Sequence, residues 1–222
     1  LAEDKSRFGG TLLTSDVNIG NQSGKEWADS IISELKEMSN VTIKNRSQVF
    51  GYYDHNMLVM FERVSDHLEK KSKFTPRQRL WYIRAKETIL STGSIERPIV
   101  FGNNDTPGIF LSAAAKEYMK VYGVLVGKKP LIFTNNDSAY ETALEFKKNN
   151  VEPIILDTRE EHSSELIDSA KNQNIQIKFS HAVIVANGYK KVKSVQIGKL
   201  NKNKTKFENS EIIECDCICV SG

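Results

Sequence analysis

The sequence predicts an α/β fold in three layers with an antiparallel β-meander attached, and three observations carry the prediction. Pro130 to Phe133, Ser138 to Lys148 and Pro153 to Leu156 read as strand, helix and strand, a unit of the size of a mononucleotide half. A further helix-periodic stretch, Ser163 to Asn172, leads into the apolar run Ile175 to Phe179 and repeats the pattern. The runs His181 to Ala186, Val192 to Leu200 and Ile212 to Val220 then follow one another over short polar connections, as strands of a meander do.

Taken in order, Leu1-Ala2-Glu3-Asp4 reads as the end of a strand with acidic residues at its tip. The strand and glycine-rich turn that should precede such a tip are not in the chain, which is therefore expected to begin mid-domain. Between Gly24 and Met38, the apolar residues Trp27, Ile31, Ile32, Leu35 and Met38 have the three-and-four spacing of an amphipathic helix. Val41-Thr42-Ile43 and Val49-Phe50 read as short strands. Met57 to Glu62 and Trp81 to Leu90 flank the charged run Asp66 to Lys73, which predicts a hairpin-like excursion with a solvated tip. From Pro107, the residues Phe110, Leu111, Ala114, Tyr118 and Val121 fall on one helical face that stops at Gly123. The expected organisation is a partial first dinucleotide-type domain over 1–97, a second Rossmann-like domain with the meander over 98–210, and a strand over 211–222 returning to the first.

Composition excludes little beyond membrane and secretory classes. With 39% hydrophobic and 27% charged residues and a formal net charge of +3, the chain reads as globular. No apolar run is long enough for a spanning helix, and the first residues have no basic segment followed by an apolar one. A cytoplasmic location is the resulting expectation. Cys215, Cys217 and Cys219 alternate along a strand-like run, so their side chains are expected on one packed face. No Cys-x-x-Cys or His-x-x-x-His spacing stands beside them, and no metal site is expected. The lysines from Lys190 to Lys206 lack interleaved aromatics and suit exposed hairpin strands that resist edge pairing, so nucleic acid is not an expected partner.

Two segments bear on chemistry. The run ending Leu90-Ser91-Thr92-Gly93, followed by Ser94-Ile95-Glu96-Arg97-Pro98, places backbone N–H groups where a dinucleotide can approach without meeting a side chain. The turn Thr134-Asn135-Asn136-Asp137-Ser138-Ala139 contains no glycine, and Asp137 puts a negative charge where a pyrophosphate would lie. The second domain is thus expected to keep the fold without the cofactor, with Asp137 or Ser138 as a helix N-cap and Asp157 as a surface residue at a strand end. Tyr52-Tyr53-Asp54-His55-Asn56 invites a catalytic reading, but adjacent residues of an extended segment point to opposite sides, so a structural turn with Asn56 at its tip is expected, with subunit or flavin contact as the alternative. No catalytic residue is assigned.

Several blocks together resemble one family. Val49-Phe50-Gly51-Tyr52-Tyr53-Asp54-His55-Asn56, Phe61-Glu62-Arg63-Val64, Arg79-Leu80-Trp81-Tyr82-Ile83-Arg84-Ala85-Lys86 and the Ser91-Thr92-Gly93 segment are similar to the alpha subunit of heterotetrameric sarcosine oxidase. Phe8-Gly9-Gly10-Thr11-Leu12-Leu13, Phe133-Thr134-Asn135-Asn136-Asp137-Ser138-Ala139-Tyr140 and Cys219-Val220-Ser221-Gly222 fall in the family's order, so the resemblance covers the whole chain.

The resemblance implies folds of the pyridine nucleotide-disulfide oxidoreductase type and an internal fragment of a longer subunit. It places NAD in the first domain, with FAD in the beta subunit and FMN between alpha and beta. Glu3 and Asp4 then occupy the positions that accept hydrogen bonds from the adenosine ribose, and Lys5 meets phosphate or adenine. Gly9 and Gly10 allow close backbone approach, Thr11 bonds the dinucleotide, Val49 offers a backbone group to adenine, and Ser91, Thr92 and Gly93 pass the pyrophosphate side. From the residues alone, Gly9-Gly10 is equally a plain turn and Glu3-Asp4 a solvated terminus. The implied activity is oxidative demethylation of sarcosine to glycine with O₂ and transfer of the one-carbon unit to tetrahydrofolate bound elsewhere in alpha. Partners are the beta subunit and smaller subunits, and this segment alone is expected to be inactive. A pyridine-nucleotide-dependent flavin reductase and a non-catalytic assembly module stand as alternatives.

Overall fold

In the computed structural model, which describes residues 1–222, the chain divides after Gly93 into two units, Leu1–Gly93 and Ser94–Gly222. Within the first unit, a 3₁₀ turn over Gly10–Leu13 and a two-residue hairpin, β1 (Asn18–Ile19) with β2 (Gln22–Ser23), lead into helix α1 (Gly24–Glu37). The start of α1 is written into Ser23 and Glu26. Glu26 N–H donates to Ser23 Oγ at 3.3 Å, while Ser23 N–H donates to Glu26 Oε2 at 3.0 Å, so each side chain satisfies an amide that the helix leaves open. Ser23→Ala is expected to lower the stability of this unit by about 1 kcal/mol, read as an earlier midpoint in urea unfolding followed by circular dichroism.

Three antiparallel strands complete the unit: β3 (Ser47–Tyr53), β4 (Met57–Arg63) and β5 (Gln78–Arg84). The turn between β3 and β4 is the Asp54–Asn56 segment, with His55 and Asn56 at positive φ. Tyr52 Oη donates to Asn56 Oδ1 at 2.7 Å and Asn56 Nδ2 donates to Lys86 O at 2.9 Å, which accounts for the aromatic cluster as a structural turn. The connection from β4 to β5 is the expected solvated tip, with Lys70, Lys71 and Lys73 exposed. Two expected strands differ. Val41-Thr42-Ile43 forms none, because the chain makes a single parallel bridge from Ala2 to Lys44 and then turns at Arg46, whose φ is +52°. The strand expected over Trp81 to Leu90 stops at Arg84, since its partner β4 begins at Met57 and offers nothing beyond that pair.

The second unit is built on a parallel sheet of β6 (Ile109–Leu111), β7 (Pro130–Thr134), β8 (Ile154–Asp157), β9 (Gln176–Phe179) and β13 (Cys217–Ser221), in the order β6-β13-β7-β8-β9. Helices α2 (Ser112–Tyr122), α3 (Ser138–Lys148) and α4 (Glu165–Asn172) supply the helical residues of one core, which also holds Ile132, Ile155, Cys217 and Cys219. The antiparallel meander β10 (His181–Gly188), β11 (Val192–Leu200) and β12 (Phe207–Glu214) shares a second core with Leu131, Phe133, Leu156, Ile218 and Val220. Consecutive residues of β7 thus feed opposite cores, which is why the strand reads as an unbroken apolar run. This is the expected three-layer α/β arrangement.

Three details depart from the sequence reading. Phe110 and Leu111 belong to β6, not to the helix, because pairing with Cys219 and Val220 of β13 draws them into the sheet before α2 begins at Ser112. The strand expected over Ile212 to Val220 is two strands. Asp216 divides them, its carboxylate accepting from the N–H groups of Lys128 at 2.9 Å and Lys129 at 2.7 Å. Cys217 and Cys219 therefore face the helical core while Cys215 faces the meander, so the three thiols do not share one face. Residues Cys217–Ser221, expected to leave toward the first domain, are paired on both sides within this sheet. No helix is long and apolar enough to cross a membrane.

Candidate functional site

In the first unit, Glu3, Asp4 and Lys5 run beside the segment that enters β3. Glu3 N–H donates to Lys44 O at 2.9 Å, Ser47 N–H to Glu3 O at 2.8 Å and Arg46 N–H to Lys5 O at 2.9 Å. The Glu3 carboxylate accepts from Lys5 N–H at 2.9 Å, and Asp4 Oδ1 accepts from Arg63 Nη2 at 2.7 Å. Val49 lies two residues into β3 opposite Met60 and keeps 39% of its surface exposed. Gly9 and Gly10 take φ of +126° and +51°, which glycine adopts without strain, and nothing lies within 4 Å of where a Gly10 side chain would begin. Thr11 O closes the following 3₁₀ turn by accepting from Thr14 N–H and Ser15 N–H.

The first unit also has a cleft of about 560 Å³, lined by Ser6, Arg7 and Phe8, by Asp29, Ile32 and Lys36 of α1, and by Val41, Thr42, Ile43 and Asn45, and by none of Glu3, Asp4, Lys5, Gly9, Gly10, Thr11 or Val49. That volume suits a small organic ligand. Arg7 Nη2 is held to Asp29 by hydrogen bonds of 2.8 and 3.1 Å. Ser91, Thr92 and Gly93 are exposed, with Gly93 at φ +66°, and belong to neither group.

Sequence reasoning passed over a charged cluster on the same three-stranded sheet. Glu62, only 9% exposed, accepts from Trp81 Nε1 at 2.6 Å and Lys44 Nζ at 3.1 Å, with Arg79 Nη1 at 3.4 Å. Burial works to raise its carboxyl, but the Trp81 and Lys44 hydrogen bonds and the two cations hold it below the ordinary glutamate value of 4.5. Lys44 and Arg79 both stand over the Trp81 ring, at 5.0 and 5.3 Å from its centroid. The only hint in the sequence is the alternation that puts Arg79 and Trp81 on one side of β5.

In the second unit the residues at the ends of β7, β8 and β13 bind one another. Asp157 is fully buried, not the surface residue expected: its carboxylate accepts from Tyr140 Oη at 2.9 Å and from Arg159 N, Nε and Nη2 at 2.9, 3.0 and 2.7 Å. The cause is local, since Arg159 stands two residues on and folds its guanidinium back over the strand end. Burial, with Asp157 alongside, pushes the Tyr140 hydroxyl far above its usual range, so it stays a donor. Asp137 holds the N-cap position of α3, but its side chain caps nothing. Its carboxylate instead meets Arg159 Nη2 at 2.7 Å and His162 Nε2 at 3.5 Å. Burial works to raise Asp137, yet the hydrogen bonds from Arg159, Ser164 and His162 hold it below its ordinary value. All three thiols are free and buried. Burial pushes the Cys215 thiol up to about 12, and the Cys219 thiol is pushed upward by the hydrogen bond between Cys217 and Cys219 and by burial.

No family model matches the chain. Over 160 residues, 72% of this chain and 16% of the relative, it is 38% identical to "Sarcosine oxidase subunit alpha" of Rhizobium meliloti (strain 1021). Over 226 residues, 100% of this chain and 23% of the relative, it is 31% identical to the protein of the same name from Corynebacterium sp. (strain P-1). The chain is a relative of sarcosine oxidase alpha subunits. It spans about a fifth of the length of these relatives.

Among solved structures, T. acidophilum thioredoxin reductase matches this alpha-subunit relative with a TM-score of 0.67 at 13% identity, over 99% of this chain and 67% of that one. A NAD-dependent persulfide reductase from A. fulgidus gives 0.64 at 11% identity over 99% and 39%, and L-proline dehydrogenase from P. horikoshii 0.63 at 20% over 100% and 36%. At such identities the likeness is one of fold. That fold is the Rossmann-like fold seen in the pyridine nucleotide-disulfide oxidoreductases, as the sequence resemblance implied.

Proposed function

We propose that this chain is the nucleotide-holding and scaffolding part of a sarcosine oxidase alpha subunit, within a cytoplasmic multi-subunit flavoenzyme. That enzyme oxidatively demethylates sarcosine to glycine with O₂ and passes the one-carbon unit to tetrahydrofolate. FAD belongs to the beta subunit and FMN to the alpha–beta boundary. The single observation carrying the reading is the 31% identity to an alpha subunit over 226 residues, which takes in both units of the chain. The chain by itself is expected to oxidise no sarcosine.

Within this reading NAD belongs to the first unit, and the residues there fit it. Glu3 and Asp4 would take the ribose hydroxyls, with Lys5 beside them, and the open space beside Gly10, next to Gly9, leaves room for the pyrophosphate by Thr11. Val49 has backbone near the strand entry that Glu3 pairs with, and Ser91, Thr92 and Gly93 are assigned to the pyrophosphate side. When bound, a nicotinamide supplies hydride transfer; these residues orient its adenosine half. The test is NAD affinity of the full alpha subunit carrying this chain. Glu3→Ala is expected to weaken NAD by at least about tenfold, and Lys190→Ala, at an exposed position of the second unit, to leave it unchanged. Equal affinity of Glu3→Ala and wild type would remove the site from the first unit.

A further inference from the structure

In a doubly wound sheet, ligands enter at the carboxyl ends of the strands, where neighbouring strands lead away in opposite directions. In the second unit that place is between β7, which continues to β8 and β9, and β13, whose other neighbour is β6. We infer that this crevice is closed by the chain's own side chains and admits no nucleotide, Asn136 and Arg159 standing where phosphate and ribose groups would be received.

Asn136 closes the crevice from three sides. Its Nδ2 donates to Ser221 Oγ at 3.0 Å, and Asn135 N–H donates to Ser221 O at 3.3 Å, so the ends of β7 and β13 are tied across the gap. Its Oδ1 accepts from Ser138 N–H at 3.1 Å and from Ser138 Oγ at 2.7 Å, occupying an amide at the start of α3 of the kind that faces a bound phosphate. Thr134 Oγ1 fixes the turn by accepting from Asn136 N–H at 3.0 Å and donating to Asn136 O at 2.9 Å.

Arg159 does the same at the end of β8. A carboxylate offers about four acceptor sites. Three donors from Arg159 and one from Tyr140 fill those of Asp157, leaving none for a ribose hydroxyl. The charge of the guanidinium is met by a second carboxylate as well, Asp137 lying 2.7 Å from its Nη2. The inference concerns the second unit alone and stands whether or not NAD binds the first.

Hydrogen–deuterium exchange of the chain with and without saturating ADP-ribose tests it. Peptides covering 134–138, 157–159 and Ser221 are expected to exchange at unchanged rates, whatever happens at Glu3 to Thr11. Slowed exchange at these peptides that disappears in Asp157→Asn would overturn the inference. The double variant Asn136→Gly with Arg159→Ala is expected to gain at least about tenfold in ADP-ribose affinity. If that variant is unfolded by circular dichroism, Asn136→Gly alone is held to the same standard. A folded variant with no gain would overturn the assignment of these side chains as the closing groups.

Discussion

Asp157→Ala is expected to destabilise the second unit by about 3–5 kcal/mol, because it breaks a buried ion pair by removing one partner. Two losses combine. Tyr140 Oη, in a fully buried residue, loses its acceptor, and Arg159 loses three hydrogen bonds. Arg159 keeps Asp137 as a partner and has 27% of its side chain exposed, which places the expectation toward the lower end of that range. The converse change, Arg159→Ala, is expected to cost at least as much, since it leaves a fully buried carboxylate without its cation. Urea unfolding followed by near-ultraviolet circular dichroism checks both. An Asp157→Ala protein within about 1 kcal/mol of wild type would mean that the network contributes little to folding.

Phe146→Ala is expected to cost a similar amount, about 3–5 kcal/mol, by a different route. Phe146 is fully buried on α3 and packs in the core shared by α2, α4, Ile132 and Ile155. Its removal opens a cavity that α3 cannot collapse into, since α3 is tied to α2 by the buried Ser112 Oγ to Thr142 Oγ1 hydrogen bond of 2.8 Å. The same unfolding measurement applies. A loss below about 1 kcal/mol would show that the helical layer is more loosely packed than its burial implies.

The parts of this fold that could be read from the chain are those where local pattern and burial agree. Ser138 to Lys148 has a helical period between two runs apolar enough to be buried on both faces, and the helix and strands fall where that pattern puts them. The misreadings came where an element is too short to have a period of its own. Three residues, Ile109–Leu111, fit the first turn of a helix as well as a strand, and only pairing with β13 decides. Asp216 divides a run that reads as continuous because its partners, Lys128 and Lys129, are distant in sequence.

At the candidate site, Gly9 and Gly10 signal a turn at positive φ directly, and both take it, but only the space beside Gly10 is open. The closing of the second crevice was only half legible. The missing glycine between Thr134 and Ser138 is plain in the sequence, but nothing local says that Arg159 turns back onto Asp157 or that Asn136 reaches Ser221 across the sheet. Such contacts depend on strand order, which a sequence pattern does not encode.

The measurement that bears most directly on the central claim is a calorimetric titration of NAD into the full alpha subunit carrying this chain, joined to exchange mapping of the complex. One NAD per subunit is expected, slowing exchange at Glu3 to Thr11 and around Val49 while leaving 134–138 and 157–159 unchanged. Absence of binding, or slowed exchange confined to the second unit, would contradict the assignment of NAD to the first.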